Sequence, residues 1–235
     1  MPNLELSHRS PLSPAVEDYL KAVHEIQRDE GRVSTTSLAA RMGVKAASAT
    51  GMIKKLARLK LVRHAPYQGV VLTRVGEKAA LEVLRHHRLI ELYLAEALGY
   101  SWDEVHAEAD RLEHAISEDF EDRIFELLGR PTRDPHGEPI PSKDGRLPRV
   151  SNEPLSNLEG GARATISQVW RSDPTMLRYL GERGLVPGTK VQVVETAPFD
   201  GPITIRTGKT SHVLGRKLAL HIRVEARPAR DGEKP

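Results

Sequence analysis

Four side chains able to bind a cation or move a proton recur at helical intervals in the middle of the chain. His106, Asp110, Glu113 and His114 stand at i, i+4, i+7 and i+8. At about 100° per residue they share an arc of roughly 100° on one helix. Upstream, His87 and Glu91 are one turn apart on what reads as a neighbouring helix. Two imidazoles and two carboxylates on one side, with a His/Glu pair beside them, form a donor set for a divalent cation. Clustered carboxylates repel unless a cation sits among them, and neutral imidazoles supply lone pairs. A solvated helix face with i,i+4 pairs uses the same residue types, and is the commoner use of any single one. Density argues for the metal, since 4 of the 10 His lie within 85–129. His24 and His86 read as ordinary surface residues.

Two long helices must position these donors. Val75–Leu98 reads as one, ended by Gly99. Ser101 with Glu104 is a capping-box pattern for a second, continuous to Leu128 and stopped by Gly129 and Pro131. Val105, Ala109, Leu112, Ile116 and Phe120 form an adjacent stripe that can bury. Leu92, Leu94, Leu98, Ile116, Phe120 and Ile124 read equally as a dimer surface or as core.

Charge is unevenly spread. Residues 1–84 carry 13 Lys+Arg against 8 Asp+Glu, 85–129 carry 4 against 12, and 130–235 carry 18 against 12. A basic head followed by an acidic middle suggests a polyanion for the first and a cation for the second.

That head reads as a winged helix-turn-helix. Ser13-Pro14 opens a helix carrying Val16, Tyr19, Leu20, Val23 and Ile26 at helical spacing up to Gly31. Ser34 caps a short second helix, Thr35–Met42, and Gly43-Val44 makes the turn. The third helix, Lys45 to Leu61, turns Ala49, Met52, Ile53, Leu56 and Leu59 inward. Leu61–His64 and Val70–Thr73 then flank Tyr67-Gln68-Gly69 as a hairpin wing. Short polar residues Ser48 and Thr50 let the third helix approach the major groove. Lys45, Lys54, Lys55, Arg58 and the wing's Arg63 are placed to neutralise phosphates.

Residues 130–160, rich in Pro and Gly, read as a surface linker. Beyond it, Ala164–Trp170, Lys190–Thr196, Ile203–Thr207 and Leu218–Ala226 alternate as short strands, with a helix at Thr175–Leu180. The expected fold is mainly α with β: a winged helix-turn-helix over 1–74, a helical dimerisation and metal-binding domain over 75–140, a linker over 141–160 and a small β module over 161–228.

The whole chain has 235 residues, 39% hydrophobic and 29% charged, with a net charge of +3, which suits a globular protein. Cys is absent, which excludes disulfide scaffolds, Cys-zinc modules and thiol catalysis. No apolar run approaches the ~18–20 residues of a membrane span, and no signal peptide is apparent, so a cytoplasmic, membrane-free protein is expected. A metalloenzyme would need a His-Glu-x-x-His pair or a comparable constellation. Neither that, nor a Gly-x-Ser-x-Gly elbow, nor a Gly-rich phosphate loop is present. The remaining alternative is a metal-independent winged-helix regulator whose acidic helices bind a protein.

Glu17-Asp18-Tyr19-Leu20, the helix-turn-helix around Ser48–Met52, Arg85-His86-His87-Arg88-Leu89, Val105-His106 with Asp110, Glu113-His114, and Pro135-His136-Gly137-Glu138-Pro139-Ile140-Pro141 resemble the diphtheria-toxin-repressor family. These are metal-dependent transcriptional regulators of iron and manganese homeostasis. The resemblance implies a primary site of Asp18, Asp110, Glu113 and His114, an ancillary site of His87, Glu91 and His106, and an SH3-like third domain. That domain can add a ligand, for which Asp173 is the candidate. Carboxylates at 18 and 110 make the set all O/N, suited to Mn²⁺ or Fe²⁺. Lys21 stands where manganese-type members often carry a second glutamate, which favours two separate sites over a paired one. The implied mechanism is a cation clipped between head and helical platform, so that a homodimer holds two heads about 34 Å apart on an inverted-repeat operator.

Overall fold

The computed structural model describes residues 12–65, 69–148, 153–170 and 173–226. The Tyr67-Gln68 part of the expected wing turn lies outside them. The chain divides into two compact units: Met1–His86 with Glu113–Ala115 and Pro141–Arg146, and His87–Leu112 with Ile116–Ile140 and Leu147–Pro235.

The first unit is built on α1 (Pro14–Glu30), α2 (Thr35–Arg41), α3 (Ala46–Arg58), the hairpin β1 (Val62–Ala65) and β2 (Gly69–Leu72), and the first half of α4 (Arg74–Leu98). Pro14 at the first position and a left-handed Gly31 bound α1. Ser34 and Ser37 form a reciprocal capping box on α2. Leu20, Val23, Leu38, Ala49, Ile53, Leu56 and Val70 form one core. Leu59, expected inward, is 45% exposed, because α3 ends at Arg58 and Lys60 reverses the chain at φ +59°. At the entry to α4, Gly76 lies so close to Leu61 that a Cβ would sit 1.9 Å from that carbonyl oxygen. Thr73 completes the join, its hydroxyl donating to the Lys60 carbonyl at 2.8 Å and its N–H to the Leu61 carbonyl at 2.9 Å.

In the second unit, α4 continues from His87, followed by α5 (Val105–Leu112) and α6 (Glu118–Leu127). The continuous helix expected from Ser101 to Leu128 is therefore two helices separated by a turn. Ser117 caps α6, accepting the Phe120 N–H, and Glu118, Asp119 and Glu121 fill its first turn. That start signal overrides the helical spacing that runs through it.

A six-stranded antiparallel sheet in the order β3-β8-β4-β5-β6-β7 completes this unit. Its strands are β3 (Glu153–Pro154), β4 (Arg163–Val169), β5 (Lys190–Thr196), β6 (Ile203–Thr207), β7 (Thr210–Leu214) and β8 (Ile222–Ala226), with α7 (Pro174–Gly181) and α8 (Arg216–Leu220) between them. The sheet forms the SH3-like C-terminal domain. Leu218–Leu220, expected as strand, is helical after Gly215. β7, absent from the sequence reading, pairs with β6 across the two-residue Gly208-Lys209 loop.

The expected surface linker is largely interior between Asp134 and Pro141, where Asp134, His136, Gly137, Glu138, Pro139, Ile140 and Pro141 are buried. Asp134 Oδ1 organises the bend by accepting the His136 and Glu138 N–H groups at 2.9 and 2.8 Å. Gly137, at φ +85°, sits where a Cβ would be 2.0 Å from the Ser167 carbonyl oxygen, which excludes any larger residue. The Leu92–Ile124 stripe divides: Leu92, Leu94 and Ile124 are core, while Leu98 and Phe120 remain exposed. No helix among the described residues is long and apolar enough to cross a membrane.

Candidate metal centre

Asp18, Glu113 and His114 come together in the first unit, one ligand atom of each within 4.8 Å of the others. Asp18 is on α1, and the Glu113–Ala115 turn brings the other two to it. His114 Nε2 lies 2.9 Å from Asp18 Oδ1 and 3.5 Å from Glu113 Oε1. Its other nitrogen, Nδ1, is 2.6 Å from Glu17 Oε2, which fixes the ring so that Nε2 faces the cluster. The turn is held from α4 as well, where the His86 Nδ1–H donates to the Glu113 carbonyl at 3.2 Å. His86 is thus buried, not the surface residue expected, and His24 is half-buried. Lys21 Nζ lies 2.6 Å from Glu113 Oε1.

The second cluster is in the other unit. His87 Nε2, His106 Nδ1 and Glu91 Oε1 stand 2.9, 2.9 and 3.1 Å from one another. A proton satisfies one edge of such a triangle. A single small divalent cation with ligands at about 2.1 Å and right angles spaces them about 3.0 Å apart, and so satisfies all three. The donors therefore fit a cation. Asp110 lies against the other nitrogens of the same two rings, its Oδ1 3.4 Å from His87 Nδ1 and its Oδ2 3.6 Å from His106 Nε2. It was expected beside Glu113 and His114. The break after Leu112 takes those two out of helical register with it. Asp173, the expected third-domain ligand, instead caps α7 by accepting the Thr175 N–H at 2.8 Å. It is in neither cluster.

Behind Glu91 lies a polar network that the sequence reading missed. Arg88, fully buried, pairs with Glu138, donates to the Pro139 carbonyl, and has its Nε 3.7 Å from Asp134 Oδ2. His136 donates from Nε2 to the Trp102 carbonyl at 2.7 Å and stacks on that indole, with Nδ1 3.8 Å from Glu91 Oε2. Burial first, then the neighbouring Glu91 and Glu138 charges, push the Asp134 carboxyl up to about 6. The sequence signal was Pro-His-Gly-x-Pro beside Arg-His-His-Arg, two polar motifs whose charges need partners if buried.

On the first unit's outer face, Lys45, Ser48, Thr50, Lys54, Lys55 and Arg58 of α3 and its cap are all exposed, as is Arg63 on β1. Ala46, Ala47 and Gly51 keep the same face low. Thr50 Oγ1 donates back to the Ala46 carbonyl at 2.8 Å. This is a slim basic helix followed by a hairpin.

Comparison with known proteins agrees over most of the length. Residues 11–70 match the iron dependent repressor, N-terminal DNA binding domain. Residues 73–142 match the iron dependent repressor, metal binding and dimerisation domain, and 153–226 the FeoA domain. The iron-dependent repressor IdeR of Mycobacterium tuberculosis is 29% identical over 226 residues, covering 91% of this chain and 98% of that protein. The diphtheria toxin repressor of Corynebacterium diphtheriae is 26% identical over 224 residues, covering 91% and 98%. A solved manganese-dependent transcriptional repressor in complex with manganese is 39% identical, covers 90% of this chain and 100% of its own, and superimposes with a TM-score of 0.83. With a reading head, a dimerisation segment and a FeoA-type barrel in the same order as these proteins, the chain belongs to the iron-dependent repressor family of DNA-binding transcriptional regulators.

Proposed function

We propose that this chain is a cytoplasmic, homodimeric repressor that binds an inverted-repeat operator when loaded with Mn²⁺ or Fe²⁺, and that it controls metal-uptake genes. The carrying observation is that Asp18, from the helix that opens the winged helix-turn-helix, shares one donor cluster with Glu113 and His114. Asp18, Glu113 and His114 form the primary site, and His87, Glu91 and His106 the ancillary one, with Asp110 against the rings' outer nitrogens. The all-oxygen-and-nitrogen donors, with no Cys in the chain, suit Mn²⁺ or Fe²⁺. The manganese and iron dependence of the relatives supports the same choice.

A bound cation supplies the positive charge that lets Asp18 and Glu113 face one another. Glu17 holds the His114 ring in register, and His86 and Lys21 hold the turn that carries Glu113. The site thus ties the 113–115 turn to α1, on which α2 and α3 pack. In this reading residues 1–74 read DNA, 75–140 bind metal and dimerise, and 161–228 form the barrel beyond a linker. Exposed Leu98 and Phe120 are what a second copy would cover.

A gel shift on upstream promoter DNA tests this. Affinity rises with added Mn²⁺ or Fe²⁺ and collapses with EDTA. Binding indifferent to EDTA would favour a metal-independent regulator whose acidic helices dock a protein. By linkage, operator DNA tightens metal binding by the same factor, typically ~5–150-fold. In the same assay Lys54→Ala lowers affinity on every sequence and reduces the salt slope by about one unit. An effect confined to one base position would contradict its phosphate role.

A further inference from the structure

Lys21 lies one turn beyond Asp18 on α1, and its ammonium nitrogen is 2.6 Å from Glu113 Oε1. This is the carboxylate oxygen turned toward His114 Nε2, at 3.5 Å. The Glu113 side chain is 0% exposed and that of Lys21 only 12%, so water screens the pair poorly. The oxygen best placed to bind a cation is therefore already shared with a fixed positive charge.

We propose that Lys21 is an internal competitor of the metal that sets the metal concentration at which the protein switches. This rests on the reading of Asp18, Glu113 and His114 as a cation site. Two effects act in the same direction. The ammonium repels a divalent ion placed on the far side of the same oxygen. It also neutralises a buried carboxylate that would otherwise be costly when no metal is bound, which stabilises the metal-free state. Both weaken metal binding.

Lys21→Gln removes the charge and Lys21→Met keeps the apolar stem, so one guards against a folding failure of the other. Lys21→Arg keeps the charge. Mn²⁺ affinity is measured by calorimetry, and thermal stability is measured separately in EDTA. Neighbouring-group changes typically move metal affinity by about 10–100-fold, and we expect Mn²⁺ to bind about tenfold tighter in the Gln and Met variants. Their melting temperature in EDTA falls, and the Arg variant stays within about threefold of wild type. A merely structural ion pair would lower stability and metal affinity together. Unchanged or weaker binding in both neutral variants overturns the proposal. If instead the wild-type chain shows no Mn²⁺ binding that Glu113→Gln removes, the reading of the site itself falls.

Discussion

Glu113→Ala is expected to abolish Mn²⁺-stimulated operator binding while leaving the metal-independent, salt-sensitive affinity for DNA intact. Glu113 is the fully buried member of the primary cluster and faces both His114 and Lys21. Alanine removes the one carboxylate that the 113–115 turn contributes, leaving Asp18 and His114 to hold a cation alone. The stimulation, of order 5–150-fold for such couplings, should drop to about onefold. Gel shifts with and without Mn²⁺, read beside a melting curve, separate loss of coupling from loss of fold. Wild-type stimulation in a folded variant would remove Glu113 from the site. His114→Ala should behave alike, whereas changes at His87 or Glu91 leave the first cluster's residues in place.

The second large effect is on stability. Arg88 is fully buried and offsets Glu138 and, at longer range, Asp134. Truncating one partner of such a pair costs about 3–5 kcal/mol, because the charge left behind has neither water nor counter-ion. For a chain of this size Arg88→Ala should lower the melting temperature by about 10 °C. Arg88→Met should do nearly as much, since packing is not the main loss. Adding Glu138→Gln to it should restore a substantial part, as coupled residues depart from additivity. Scanning calorimetry on these variants and on Glu138→Gln alone checks this, and additive losses would show that the two side chains act independently.

The reading head was legible because its signals are local and agree with one another: Ser34 and Ser37 at a cap, Pro14 at a helix start, apolar residues at helical spacing in α1 and α3. The donors were legible as residue types, and the resemblance grouped them as found except for Asp110 and Asp173. Helical spacing through 106–114 put Asp110 with Glu113 and His114, and the stronger local preference at Ser117 with its acidic followers interrupted that helix. Glu17 was invisible as a contributor, since on a helical wheel it is only the neighbour of Asp18. It gains a role once a turn nearly a hundred residues away places an imidazole against it. The 134–141 segment misled for another reason. Pro, Gly and charge usually mean surface, and here they are interior because Asp134 satisfies two backbone N–H groups and Arg88 meets the acids.

The junction at Gly76 has a mechanical corollary. With no room for even a methyl group between that glycine and the Leu61 carbonyl, and with Thr73 stitched to Lys60 and Leu61, the wing and the opening turns of α4 have no slack. Any side chain at 76 would have to push that carbonyl away, so Gly76→Ala should pry the wing from the start of α4 and lower the melting temperature.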